Sequence, residues 1–184
     1  MIERLVERAG DVLALPGDAL IVLIGAAGCG KSTFAARRFL PTQIVSSDEC
    51  RALVSDAEDD SRASGDAFAL MHFIADKRLK RGRLTVADAT NVTFEKRDAL
   101  LSIARRHRRP AVAIVFDLPY QLCRERNARR EGRRVPPQAV GGQFARLRAS
   151  RPSLSSEGYS AVYLLLTAEA AEGAIVEVGE RSRA

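Results

Sequence analysis

The chain has 184 residues, 46% of them hydrophobic, enough apolar material for a packed core, which excludes a disordered chain. No stretch approaches the roughly 18–20 apolar residues of a membrane span, and Met1–Leu5 carries no apolar signal-peptide core. The formal net charge is +6, lysine occurs only at Lys31, Lys77, Lys80 and Lys96, and Cys29, Cys50 and Cys123 are an odd set at no metal-ligand spacing, so the expectation is a cytoplasmic protein with reduced thiols and no membrane contact.

In chain order, the first seventeen residues read as a peripheral addition. The run Leu20–Ile24 reads as a buried strand, followed by a glycine-rich turn and a helix over Thr33–Phe39 that ends before Pro41. A second strand spans Gln43–Ser46, and the acidic stretch Asp56–Asp60 reads as a solvated loop. Apolar positions near a 3.6-residue period predict a helix over Gly65–Arg81, with Gly82 as its stop. Leu84–Ala87, Ala111–Phe116 and Ala161–Leu166 are three more apolar strands. They alternate with helices over Phe94–His107, Tyr120–Glu131 and Pro137–Ser150. The tail beyond Ala168 reads as peripheral. Val- and Ile-rich strands alternating with helices predict a doubly wound α/β fold, with five parallel strands and right-handed crossovers. A single domain is expected over residues 1–184, with its core at 18–166 and a helical lid at about 120–136.

The glycine-rich turn is Gly25-Ala26-Ala27-Gly28-Cys29-Gly30-Lys31-Ser32, a G-x-x-x-x-G-K-[ST] phosphate loop between strand and helix. Gly25, Gly28 and Gly30 let backbone N–H groups turn inward around a phosphate, and the helix N-terminus adds partial positive charge. Lys31 reaches the β- and γ-phosphates of ATP, and Ser32 offers its hydroxyl to Mg²⁺. Cys29 and Thr33 complete the expected nucleotide-binding set. A thiol beside Lys31 and a helix N-terminus is a candidate for oxidation or alkylation that blocks ATP; a small residue that merely fits is the competing reading.

Three further segments carry chemistry. Asp48 follows the second strand, where ligands bind in open α/β sheets, and fits a helix N-cap with Arg51 one turn later. Transfer of a phosphoryl group to an alcohol needs a carboxylate to accept the hydroxyl proton and a cation near the acceptor; Asp48 and Arg51 supply both. Asp88 closes the third strand, in position to support Mg²⁺ or to orient Arg51. Asp117 competes for the metal role, or caps the next helix. Arg126 and Arg130 share one face of a helix followed by Gly132 and prolines, so they suit a lid that closes over ATP and neutralises charge on the moving phosphoryl group. Arg124 and Arg134 read as solvated.

In this order, GAAGCGKSTFA at 25–35, SSDECR at 46–51, DATN at 88–91 and the RNARR lid with Val135-Pro136 resemble the polynucleotide 5′-hydroxyl kinases of phage and bacterial end-healing enzymes, over residues 18–166. The resemblance implies ATP and Mg²⁺, Asp48 as general base on a 5′-hydroxyl, and Arg51 on the acceptor and its neighbouring phosphate. It implies Lys31, Ser32 and Arg130 on ATP with Arg126 in support, and Asp88 on the substrate side. Relatives often carry a phosphatase, phosphoesterase or ligase module, for which this chain has no room; the expectation is then either a different substrate or separate phosphatase or ligase partners. The other readings are a small-molecule alcohol kinase acting on a nucleoside, sugar or antibiotic, and a nucleotide switch or regulatory ATPase. Ala89, where a water-activating glutamate would follow Asp88, argues against the last. The positive charge favours a polyanionic acceptor, and few aromatics (5%) argue against sequence-specific reading of nucleic acid.

Overall fold

The computed structural model describes residues 2–131 and 134–181. In chain order its elements are β1 (Ile2–Val6), β2 (Val12–Leu15), β3 (Leu20–Ile24), α1 (Lys31–Arg38), β4 (Ile44–Ser46), α2 (Ser47–Ser55), α3 (Ser64–Lys80), β5 (Thr85–Asp88), α4 (Phe94–Arg106), β6 (Ala111–Phe116), α5 (Tyr120–Ala128), α6 (Pro137–Ser150), β7 (Ala161–Leu165), α7 (Ala168–Gly173) and β8 (Ile175–Val178). The main sheet runs β1-β7-β6-β3-β5-β4, and every pairing in it is parallel. It is the α/β sheet expected, with six strands and not five.

The sixth strand is β1, from the N-terminal segment that reads as peripheral in sequence. It pairs with β7 from Ile2↔Ala161 to Val6↔Leu165. The tail is likewise part of the fold: β8 pairs in parallel with β2 as a separate two-stranded sheet. Tyr163 on β7 ties that small sheet to the main one, because its hydroxyl donates to the Ala14 carbonyl (3.0 Å) and accepts from the Ala14 N–H (3.1 Å). No described helix is long and apolar enough to cross a membrane.

Both faces of the sheet are buried, which explains the unbroken apolar runs. Along β3, Leu20, Val22 and Ile24 point into one core layer with Met71, Leu79, Leu100 and Leu101 of α3 and α4. Ile21 and Leu23 point into the other, with Phe34 of α1, Leu13 and Leu15 of β2, and Ala170 of α7. The chain leaves β3 for β4 and β5 on one side, then returns to β6 on the other. The carboxyl end of β3 is therefore the point where the strand order reverses, the place where open α/β sheets bind ligands.

A buried ion pair braces this end of the sheet. Arg97 of α4 donates from Nε to Glu157 Oε2 (2.7 Å), from Nη2 to Oε1 (2.5 Å), and from Nη1 to the Asn91 carbonyl (3.1 Å). Its side chain is fully buried and that of Glu157 is 2% exposed. Removing one partner of such a pair strands a buried charge, at about 3–5 kcal/mol. Glu157→Ala is expected to lower Tm by roughly 6–20 °C, at about 2–4 °C per kcal/mol for a chain of this size. A calorimetric shift under about 3 °C would mean that the site relaxes around the lone guanidinium.

Candidate active site

The phosphate loop leaves β3 at Gly25, whose N–H donates to the Thr90 carbonyl (2.9 Å). Asn91 holds the same junction from below: buried and at φ 47°, it donates from its amide to the Leu23 carbonyl (2.8 Å), a left-handed conformation that asparagine tolerates. The Asp88–Asn91 segment thus fixes the base of the loop. Gly28 (φ 81°) has no room for a side chain, since a Cβ would lie 2.1 Å from the Cys123 carbonyl. Gly30 (φ 97°) caps α1 in the left-handed region. The helix begins at Lys31, two residues earlier than the sequence predicts, so Ser32 and Thr33 lie in its first turn and their N–H groups point toward the loop.

Lys31 is buried and folded across its own loop, its Nζ 2.8 Å from the Ala26 carbonyl and 3.5 Å from Cys29 Sγ. Cys29 itself is fully buried, which favours the reading of a small residue that fits over that of a reactive thiol. Its neighbour Cys123 has its thiol pushed up to about 12, by burial first and by Cys29 second.

A cavity of about 410 Å³ opens in front of the loop. Asp48 and Asp88 enter it from adjacent strand ends: Ser46, the last residue of β4, is in register with Asp88, the last of β5. Asp48 is not the N-cap; Ser46 caps α2, its hydroxyl accepting from the N–H groups of Asp48 (3.2 Å) and Glu49 (3.4 Å). Asp48 therefore sits in the first turn, its side chain 31% exposed toward the cavity. Behind it, Arg51 is buried and donates from Nη1 to Asp48 Oδ1 (2.7 Å) and to the Glu58 carbonyl (2.8 Å). Arg51 thus pairs with Asp48 and not with Asp88, and it does not line the cavity.

Asp88 is 5% exposed. Burial raises its carboxyl above the ordinary range; Lys31 and then the Ser32 hydroxyl pull it down, Asp48 pushes it up, and Arg130 pulls it down. That set of neighbours brings four expected site residues around one carboxylate. Asp117 stands elsewhere, paired with Arg151 (3.1 Å) at a separate surface depression, and it makes no cap on α5. Among the described residues no three His, Cys, Asp or Glu cluster as a metal site, so a cation here would share Ser32 and Asp88 with phosphate oxygens.

The lid helix α5 ends at Ala128, three residues short of the expected Glu131; the expected hinge at Gly132 lies outside the described residues. Arg126 and Arg130 both line the cavity, while Arg124 and Arg134 are exposed. Arg126 reaches across the mouth to Glu172 of α7 (2.6 Å). Four contributors are absent from the sequence reading. Glu172 and Ala171 form the cavity wall opposite the lid. Arg38 stacks 4.2 Å from the Phe34 ring and holds the Glu172 carbonyl (2.7 Å). Gln143 of α6 accepts from the Ala27 N–H through Oε1 (2.8 Å), tethering the loop to the far helix.

A family model described as an AAA domain matches residues 20–154. No curated protein matches the chain. Among solved structures, the chain is similar to one of the Pnkp1/Rnl/Hen1 RNA repair complex, at 21% identity and TM-score 0.63, over 77% of this chain and 47% of that one. It is also similar to an unliganded sugar kinase from Janibacter sp. HTCC2649, at 19% identity and TM-score 0.56, over 80% and 84% of the two chains. A third is the AvrRxo1-ORF1:AvrRxo1-ORF2 complex with ATP, at 18% identity and TM-score 0.54, over 77% and 50%. At these identities the likeness is one of fold alone, and the chain spans about half of the first and third of these chains.

Proposed function

The chain belongs to the AAA-domain family, and on that premise we propose that it is an ATP-dependent phosphotransferase acting on the 5′-hydroxyl end of a polynucleotide. One observation carries the reading: an aspartate in the first turn after β4, braced by a buried arginine, faces the phosphate lysine across a cavity. A phosphate loop that only binds or hydrolyses nucleotide has no use for that second carboxylate on the acceptor side. Likeness to a chain of an RNA repair complex supports a polynucleotide acceptor, and the complex containing ATP supports the donor.

In the proposed reaction Asp48 accepts the proton of the acceptor hydroxyl as its oxygen forms a bond to the γ-phosphorus. The bond from the γ-phosphorus to the β–γ bridging oxygen breaks in line, and that oxygen keeps the electron pair as ADP leaves. Lys31 leaves the Ala26 carbonyl for the β- and γ-phosphate oxygens, while Arg130, with Arg126, meets the charge on the moving group from the lid. Ser32 and the buried Asp88 fit Mg²⁺, which when bound screens the triphosphate charge. Arg51 holds Asp48 in the orientation that receives the proton.

The second reading, a small-molecule alcohol kinase, is favoured by likeness to the sugar kinase. Labelled ATP offered with 5′-hydroxyl DNA, 5′-hydroxyl RNA, nucleosides and sugars separates the two. Label is expected on the oligonucleotides; label on sugars or nucleosides alone would replace the first reading with the second. Arg130→Ala is expected to lower kcat by about 10²–10³-fold on every acceptor alike, since it acts on the transferred group.

A further inference from the structure

Three cations converge just outside the cavity, on the Asp48 side. On α2, Arg51 lies three residues beyond Asp48; on α6, Arg146 lies three beyond Gln143. That spacing puts each cation on the same helix face as a residue that lines the cavity, one turn further out. Lys96, in the first turn of α4, comes from the third side, its Nζ held 4.8 Å from the Phe68 ring. Partial burial holds the Lys96 ammonium below the ordinary lysine range, and the guanidiniums of Arg146 and then Arg51 add to this.

Like charges gathered this way repel, and the usual remedy is a carboxylate. Among the described residues neither Lys96 nor Arg146 pairs with one, although both are exposed; other surface arginines, such as Arg62 and Arg105, do pair. Arg51 adds a second oddity, since its Nε is buried with no hydrogen-bond partner among the described residues. A cationic cluster in which, among the described residues, Arg51 alone has a carboxylate partner, contiguous with an acceptor site, suits an anion that arrives with the acceptor.

We propose that Lys96 and Arg146, with Arg51 beneath them, form a phosphate subsite that grips the backbone of a polynucleotide as it leads away from the 5′-hydroxyl at Asp48. The subsite rests on the polynucleotide reading above and sharpens it: it explains how a chain with few aromatics overall retains a strand through phosphates and not through bases. Lys96 and Arg146 touch phosphate, whereas Arg51 contributes charge from below.

The test is direct binding of a 3′-fluorescein-labelled, 5′-hydroxyl DNA 10-mer, followed by anisotropy across a salt series, for wild type and for the double variant Lys96→Ala with Arg146→Ala. The double variant is expected to bind about tenfold more weakly, with the slope of log K against log[salt] shallower by about 1.4, near 0.7 for each lost phosphate contact. Its ATP affinity and Tm are expected to match wild type, because both side chains are exposed and outside the nucleotide cavity. Unchanged affinity and slope would overturn the subsite. Labelled-ATP transfer to the same 10-mer separates this from the parent reading. A wild type that binds with the expected slope but transfers no label keeps the subsite and removes the kinase assignment. Transfer with an unaltered KM in the double variant removes the subsite and keeps the assignment. A wild type that does not bind the 10-mer removes both.

Discussion

Lys31→Ala is expected to reduce phosphoryl transfer by at least about 10²–10³-fold, the scale for removing one preorganised transition-state contact, while leaving the fold in place. Among the described residues its ammonium hydrogen-bonds to the Ala26 carbonyl and Cys29 Sγ, and both belong to the phosphate loop itself. The loop is held instead by its neighbours: Gly25 to Thr90, Ala27 to Gln143, and Gly28 against the Cys123 carbonyl. Removing the lysine therefore strips charge from the cavity without releasing the backbone that shapes it. Steady-state kinetics with matched thermal unfolding reads both parts. A kcat within about threefold of wild type would remove Lys31 from catalysis, and a collapse in Tm would make it a structural residue.

The elements that read well from sequence are those whose local chemistry and tertiary role agree. Leu20–Ile24 is buried on both faces, so its apolar run has one interpretation, and the loop that follows has a spacing few other structures need. The strands that escaped lack that agreement. Ile2–Val6 carries Glu3 and Arg4 in five residues because it is an edge strand that pairs on one side, so its sequence looks like surface. Val12–Leu15 and Ile175–Val178 are short, and each becomes a strand only when the other, about 160 residues away, is beside it. The site divides the same way. Lys31 and Asp48, in the first turns of the helices that follow β3 and β4, and Asp88, at the end of β5, sit where the sequence marks a change of element, whereas Gln143 and Glu172 are ordinary helix residues in α6 and α7 until the fold brings them to the loop and the lid. Asp48 read as a cap because aspartate suits that position; Ser46 took it because α2 begins at Ser47, directly after the strand, which leaves the Asp48 carboxylate exposed to the cavity.

That exposure to the cavity is the basis of the second large effect. Asp48→Asn is expected to lower kcat by about 10²–10⁴-fold, the usual contribution of a general base, with ATP affinity unchanged. The amide preserves shape: its oxygen can still accept from Arg51 Nη1 in place of the 2.7 Å carboxylate contact. It cannot take a proton from the acceptor hydroxyl. The nucleotide side is not impaired, because Asp48 is one of the charges that hold the Asp88 carboxyl up, so its neutralisation leaves Asp88 more readily ionised beside Ser32. Isothermal titration with ATP and single-turnover transfer to a 5′-hydroxyl oligonucleotide measure the two halves separately. Arg51→Ala supplies the internal comparison: the carboxylate stays but loses its brace, so transfer is expected to fall by less than in Asp48→Asn. If Asp48→Asn instead weakened ATP binding and spared the transfer step, Asp48 would belong to the donor side, and the proton would have to leave the acceptor by way of water or the phosphate itself.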